Sequence, residues 1–319
     1  MSLSELGEFG FIDRLRSWLP DPGAMIGIGD DSAVFEATGN TIVAATDALV
    51  EGVHFRSDWS SPSDIGFKAV SVNVSDIAAM GARPKWLLLA LCAPPETTDE
   101  VLRGLYEGIG EACVAYGTEL VGGDTVRAPQ LTLAVTAIGE LEGQPVRRSG
   151  AEVGDVLAVT GPVGRAAVGV NLLLSQDAKD ASPEDAIACM SAHRRPRARV
   201  DAGVQLQQVA AHAAIDLSDG LGPDARRMAE ASRIGIEIDL GRVPVAPEAG
   251  RIAASRGWDI ERLVLGGGED FELLVALPHE QLEGTDWIEI GRVVDDGLWL
   301  VRDGQSVPLP DEGYDHFRT

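Results

Sequence analysis

The sequence predicts a mixed α/β chain, α+β-like in the order of its elements and built as two domains. Apolar runs of strand length recur along the 319 residues. Helical patterns with start signals lie between them without strict alternation, which favours a mixed arrangement over a doubly wound sheet. One stretch rich in Gly, Pro and charge, "GELEGQPVRRSGAEVGD", then interrupts the pattern near 140–150 and leaves two halves of similar size.

The strand-length runs are 41–46 (TIVAAT), 86–92 (WLLLALC), 131–138 (LTLAVTAI), 155–159 (DVLAV), 213–217 (AAIDL), 234–240 (IGIEIDL) and 271–277 (FELLVAL). A helix over 63–80 starts at Ser63 with Asp64 in its first turn and apolar residues at 65, 69, 70, 74 and 77. A second, over 98–116, follows the capping pattern Thr97-Thr98-Asp99-Glu100. Helices are expected at 164–175, after the turn "TGPVG", at 196–211, opening on a proline, and at 221–232, after "DLSDG". The domains are placed at 1–149 and 150–319.

The formal charge of −24 repels nucleic acid and anionic membranes, so neither is an expected partner. No apolar stretch approaches the roughly 18 residues that a membrane span needs. The N-terminus lacks a basic segment followed by an apolar run, and Cys92, Cys113 and Cys189 are scattered. Together these features point to a reducing cytoplasm and core cysteines rather than to disulfides or zinc.

The chemistry concentrates in carboxylates set among small residues: "GIGDDSAVF" (27–35), "ATDALVEGVHF" (45–55), "NVSDIAAMGA" (73–82), "GGDT" (122–125), "DLSDG" (216–220) and "GGGEDFELLVAL" (266–277). Any single Asp beside Gly or Ser fits a turn or a helix cap. Asp216 departs from that, because it ends an apolar run where an unpartnered carboxylate is costly. Asp219 follows three residues later, at a helix start. Free amides there suit phosphate, and the flanking acids would repel it unless cations bridge the two. The pattern therefore predicts a metal–phosphate site. The chain has neither a P-loop of the form G-x-x-x-x-G-K-[ST] nor a dinucleotide fingerprint. Arg147-Arg148 is the best local basic pair, although either residue alone also fits a solvated loop. The histidines form no cluster; His54 is either a substrate contact or a packed side chain.

Taken in order, these motifs resemble the thiamine-monophosphate kinases of the aminoimidazole-ribonucleotide-synthetase-like superfamily. The resemblance runs from "GIGDDSAVF" through "TDALVEGVHF", "KAVSVNVSDIAAMGARP", "GGDT", "RSGAEVGD", "AIDLSDGL" and "GGGEDFEL" to "GYDHF". It implies that fold, with a C-terminal α/β domain and N-terminal sheets that pair in a homodimer. It also implies ATP-dependent conversion of thiamine monophosphate to thiamine diphosphate with several Mg²⁺ ions. The positions matching metal ligands are Asp30, Thr46, Asp47, Asp76, Asp124, Asp216 and Asp219. Those matching ATP contacts are Gly123, Asp124, Arg148 and Ser218, with Tyr106 flanking the nucleotide; His54, Glu269 and Tyr314 match the thiamine side. Ala45 stands where some relatives have serine, which removes a side-chain oxygen and leaves the backbone carbonyl.

Two other readings remain open on the residues. One is a different ATP-using member of the superfamily, such as a selenophosphate-synthetase-like or hydrogenase-maturation-like enzyme. The first of these is expected to carry a reactive Cys near the N-terminus, and the first cysteine here is Cys92. The other is a non-catalytic protein that binds divalent metals.

Overall fold

A computed structural model describes residues 18, 41–141, 143–175, 182–311 and 313. The chain separates into two compact units: residues 1–77 with 82–144, and residues 78–81 with 145–319.

The first unit contains β1 (Thr41–Val50), α1 (Pro62–Ala79), β2 (Arg83–Ala93), α2 (Asp99–Tyr116), β3 (Glu119–Arg127) and β4 (Thr132–Leu141). Its strands form a four-stranded sheet in the order β1-β4-β2-β3, with β2 and β3 parallel and the other pairs antiparallel. Burial alternates along β2 and β4, so one face is dry and carries Leu87, Leu89, Leu91, Leu133, Val135 and Ala137. Each fully buried Leu or Val side chain here contributes roughly 1.5–3 kcal/mol.

α1 is buried along nearly its whole length from Ile65 onward. It meets α2 backbone to backbone: a Cβ on Gly66 would lie 2.0 Å from the Leu105 carbonyl oxygen, and one on Gly108 would lie 1.9 Å from that of Ser63. No other residue fits at that crossing. α2 starts at Thr98, whose hydroxyl accepts from the Val101 amide at 3.4 Å, and it stops at Gly117 in the left-handed conformation (φ 64°).

β3 runs through Gly122-Gly123-Asp124-Thr125, a stretch whose glycines disfavour a strand. The sheet itself demands Gly123. Opposite the irregularity at Leu87/Leu88, a Cβ there would lie 1.9 Å from the Leu89 carbonyl oxygen. The glycine before Asp124 is therefore required by strand packing, whatever approaches the aspartate.

The second unit contains β5 (Val156–Val159), α3 (Arg165–Ser175), α4 (Pro183–Arg194), α5 (Val200–Gln208), β6 (Ala213–Asp216), α6 (Leu221–Ser232) and β7 (Gly235–Asp239). A 3₁₀ turn over Leu240–Arg242 leads to α7 (Pro247–Arg256), α8 (Ile260–Gly266), β8 (Leu273–Leu277), α9 (His279–Leu282), β9 (Ile288–Val294), β10 (Leu298–Arg302) and β11 (Gln305–Pro308). The seven strands are ordered β11-β10-β7-β9-β5-β8-β6, mostly antiparallel, with β10 and β7 parallel. A core of Leu157, Val159, Ile215, Met228, Ile236, Ile238, Leu274 and Ile290 lies with this sheet. The two units together make the mixed α/β fold expected from the element order.

The helix expected over 196–211 forms only across Val200–Gln208. Arg195, the residue before Pro196, sits at φ −135°, ψ 67°, outside the helical region that a following proline disfavours. Among the described residues no helix is long and apolar enough to cross a membrane.

Candidate active site

In the first unit, β1 and α1 bring several of the expected residues together. The Asp47 amide donates to the Asn73 side-chain oxygen at 2.8 Å, and the Asn73 amide group donates back into its own helix, to the Ala69 carbonyl at 2.9 Å. Asn73 is buried, so this pair fixes β1 against α1 at Asp47. Asp76 follows Asn73 by three residues and lies on the same stripe of the helix. Thr46 donates its hydroxyl to the Val135 carbonyl at 2.9 Å and accepts from Thr136 at 3.1 Å.

Asp124 is placed elsewhere. β1 and β3 are the two edges of the sheet, three strand spacings or about 14 Å apart. The register also sets Asp124 beside Ala90, on the face opposite that of Asp47, Val135 and Leu89. Within this unit, Asp47 and Asp124 do not share one site. The Asp124 carboxylate accepts from the Thr125 amide at 2.9 Å.

The turn after β1 is tied down at His54. Its Nδ1 accepts from the Val50 amide at 3.0 Å, which puts the ring proton on Nε2. Its carbonyl accepts from the Lys68 ammonium at 3.0 Å, and Lys68 is 2 % exposed. Tyr106 is buried within α2, with its ring 6.3 Å from that of Trp18. Burial pushes its hydroxyl pKa up. Asp30 and Tyr314 lie outside the described residues.

In the second unit, the "DLSDG" and "GGGEDFEL" segments form one structure. β6 ends at Asp216, which pairs with Leu273 in register. Beyond it the Leu217 amide donates to the Glu272 carbonyl at 2.8 Å, the Phe271 amide to the Leu217 carbonyl at 2.9 Å and the Glu269 amide to the Ser218 carbonyl at 2.8 Å. Gly268 (φ 65°) permits this: a Cβ there would lie 2.5 Å from the Ser218 carbonyl oxygen. Glu269 itself adopts φ 62°, and its carboxylate reaches His193 Nδ1 at 2.5 Å. Two more acids of the segment are structural. Asp270 accepts from the amides of Gly164 (2.6 Å) and Ala166 (3.3 Å) at the start of α3. Glu272, 2 % exposed, accepts from the Thr160 hydroxyl at 2.7 Å and pairs with Arg199.

Arg147 and Arg148 are both exposed. Their backbone is held: the Arg147 carbonyl accepts from the Ala214 amide at 3.0 Å, and that of Arg148 from the Ser232 hydroxyl at 3.2 Å.

Two further residues, Asp224 and Arg227, join this structure although no motif marks them. Asp224, fully buried in the first turn of α6, accepts from the amides of Asp219 (3.1 Å) and Gly220 (3.2 Å) through one oxygen. Its other oxygen takes Arg227 Nη1 at 2.9 Å, and the same nitrogen pairs with Asp219. Burial first, then the charges of Asp216 and Asp219, push the Asp224 carboxyl up to about 7. The usable signal was spacing: an acid in the first turn after "DLSDG" and a base three residues on face the same side of a helix.

Among the described residues, no group of three or more His, Cys, Asp or Glu is arranged to hold a metal by itself. The donors nonetheless suit Mg²⁺. It favours oxygen ligands and commonly uses one or two carboxylates with substrate phosphates.

Residues 29–141 match the AIR synthase related protein N-terminal domain, and residues 152–299 match the C-terminal domain of the same group. The thiamine-monophosphate kinase of Mycobacterium tuberculosis is 40 % identical over 310 residues, spanning 96 % of this chain and 90 % of that protein. The chain belongs to the thiamine-monophosphate kinase family. A second member, from Aquifex aeolicus, is 37 % identical over 318 residues, covering 99 % of this chain and all of that protein. Among solved structures, AaThiL complexed with AMPPCP and TMP matches with a TM-score of 0.82 at 36 % identity, over 99 % of both chains. Family membership thus extends across both units and every described carboxylate motif.

Proposed function

We propose that this protein transfers the γ-phosphoryl group of ATP to the phosphate of thiamine monophosphate, forming thiamine diphosphate and ADP. Near full-length similarity to kinases named for that acceptor supports the reading, as does a related structure carrying AMPPCP and TMP. The observation that carries it in this chain is the knitted pair of loops at Asp216–Asp219 and Gly268–Glu269. It fixes carboxylates at a strand end beside the start of α6.

Mg²⁺ is the proposed cation, held by Asp30, Asp47 with Thr46, Asp76, Asp124, Asp216 and Asp219. Bound there, Mg²⁺ would screen the repulsion between donor and acceptor phosphates. The separation of Asp47 from Asp124 fits several ions rather than one. The first unit is the proposed ATP- and metal-binding and dimerisation domain, and the second completes the substrate site. ATP would meet Gly123, Asp124, Ser218 and the Arg148 guanidinium, whose planar fork suits phosphate oxygens. Tyr106 would support the nucleotide side from within α2. His54, Glu269 and Tyr314 are assigned to the thiamine side. The Val50 amide holds the His54 ring, while His193 and the Ser218 carbonyl orient Glu269.

No general base is assigned. A phosphate monoester has a second pKa of about 6, so the attacking oxygen is largely deprotonated at neutral pH. The work left to the protein is alignment and exclusion of water.

A homodimer paired through the first unit's sheet accompanies this reading. The face of β2 and β4 away from the dry side carries half-buried Leu88, Ala90, Cys92, Ala134 and Ile138, and Ile42 on β1 is 42 % exposed. A second copy would cover such a surface. Burial pushes the Cys113 and Cys189 thiols up to about 12, which keeps them inert and accords with a cytoplasmic setting.

ADP release from Mg-ATP tests the proposal, measured with thiamine monophosphate, with other superfamily acceptors and with none. The account expects ADP and thiamine diphosphate in equal amounts with thiamine monophosphate. A metal-binding protein without catalysis would release no ADP in any arm.

A further inference from the structure

We infer that Arg227 is a positioning residue: the resident counter-cation of the Asp219–Asp224 pair, which yields Asp219 when a divalent cation binds. The inference rests on the metal assignment proposed for Asp216 and Asp219 and adds to it the group that holds the site in shape beforehand.

The two acids differ in how firmly they are held. Asp224 is fully buried, and one of its oxygens is committed to the backbone amides of Asp219 and Gly220. It cannot move without unravelling the turn that carries Asp219. The Asp219 side chain is 25 % exposed, and the Arg227 side chain that bridges the two acids is 42 % exposed. A single nitrogen, Arg227 Nη1, contacts both acids. A guanidinium that reaches water can leave one partner and keep the other at little desolvation cost.

Without a cation, the carboxylates of Asp219 and Asp224 share one guanidinium nitrogen, and Arg227 reaches both from one turn further along α6. A divalent ion on Asp219 would meet the positive guanidinium at close range, so arginine and metal compete for one carboxylate. The arginine keeps the loop formed while weakening its hold on free metal, so occupancy favours metal arriving with nucleotide phosphates. Asp216, which ends the strand before this turn, is the other acid assigned to the ion.

The test is Mn²⁺ binding to the full-length, nucleotide-free protein, followed by paramagnetic resonance or calorimetry, with the thermal midpoint recorded with and without Mn²⁺. Wild type, Arg227→Gln, Arg227→Lys and Asp219→Asn are compared. The inference expects Arg227→Gln to bind Mn²⁺ about ten-fold more tightly. Its metal-free midpoint should fall, and Mn²⁺ should restore it. Arg227→Lys should stay near wild type, and Asp219→Asn should lose one class of site. If Asp219→Asn loses that class while Arg227→Gln binds no more tightly than wild type, the inference is overturned and the metal assignment stands. If Asp219→Asn binds as wild type does, both are overturned.

Discussion

The Glu269 amide donates to the Ser218 carbonyl oxygen at 2.8 Å, so the loop assigned to the thiamine side and the loop assigned to metal and nucleotide are joined through their backbones. Gly268 makes the join possible, and replacing it strains both loops. Gly268→Ala would place a methyl 2.5 Å from the Ser218 carbonyl at a left-handed φ of 65°. A drop of ten-fold or more in kcat/KM is expected, with a stability loss on the order of 1–3 kcal/mol. Steady-state kinetics and urea unfolding check this; unchanged kinetics would show that the loops tolerate separation.

Asp216→Asn should keep the fold and sharply reduce turnover. The side chain is 6 % exposed and nearly isosteric with its replacement, whereas the lost charge is the one proposed to hold Mg²⁺. A hundred-fold or larger fall in kcat is expected, as for other losses of a charge-stabilising contact, alongside a near-native circular dichroism spectrum. Near-normal turnover at moderate Mg²⁺ would remove Asp216 from the site.

Asp270 sets a pH signature that is independent of catalysis. Burial pushes its carboxyl from 3.8 up to about 7, against the opposing hydrogen bonds from Gly164 and Ala166. A raised folded-state pKa means the folded protein holds a proton that the unfolded chain releases between about pH 4 and 7. The stabilisation is complete below pH 4 and is lost as pH rises through 7. The stability of wild type relative to Asp270→Asn should therefore fall across that window, by at most about 1.4 kcal/mol per pH unit. Denaturant unfolding of both proteins at pH 4.5, 6 and 7.5 measures it, and a flat difference would contradict the assignment.

Periodicity and caps made much of this fold legible in the sequence. α6 occupies the expected 221–232, and α1 and α2 begin within a residue or so of their Ser63 and Thr98 signals. β3 was hidden because its glycines suppress strand propensity, and only the neighbouring Leu89 carbonyl explains them. α4 was hidden because its apolar residues do not gather on one face: exposed Ile187 sits between buried Ala186 and Cys189. The candidate site was legible as a set of motifs but not as groups. That Asp47 is held by Asn73 while Asp124 lies at the far sheet edge follows from strand order, which no local pattern encodes. In the sequence Asp224 is an ordinary first-turn acid and Arg227 a base one turn on; only the fold brings Asp219 onto the same guanidinium.

The outer face of the first unit's sheet, with half-buried Leu88, Ala90, Cys92, Ala134 and Ile138, is the surface proposed to pair two copies. Size-exclusion chromatography with light scattering should give twice the 33.6 kDa chain mass at working concentrations. Replacing half-buried Ile138 by Lys should shift it toward monomer and lower activity together. A fully active monomeric wild type would contradict the pairing.

A transfer organised by carboxylates and needing no base would also decide which acceptor reacts. An alcohol nucleophile requires a group to take its proton, whereas a phosphate arrives already ionised. The most direct measurement is a side-by-side comparison of initial rates for the purified protein with Mg-ATP and either thiamine monophosphate or unphosphorylated thiamine, with products separated by chromatography. The account predicts thiamine diphosphate from the monophosphate and no detectable thiamine monophosphate from thiamine. Comparable phosphorylation of thiamine would contradict it.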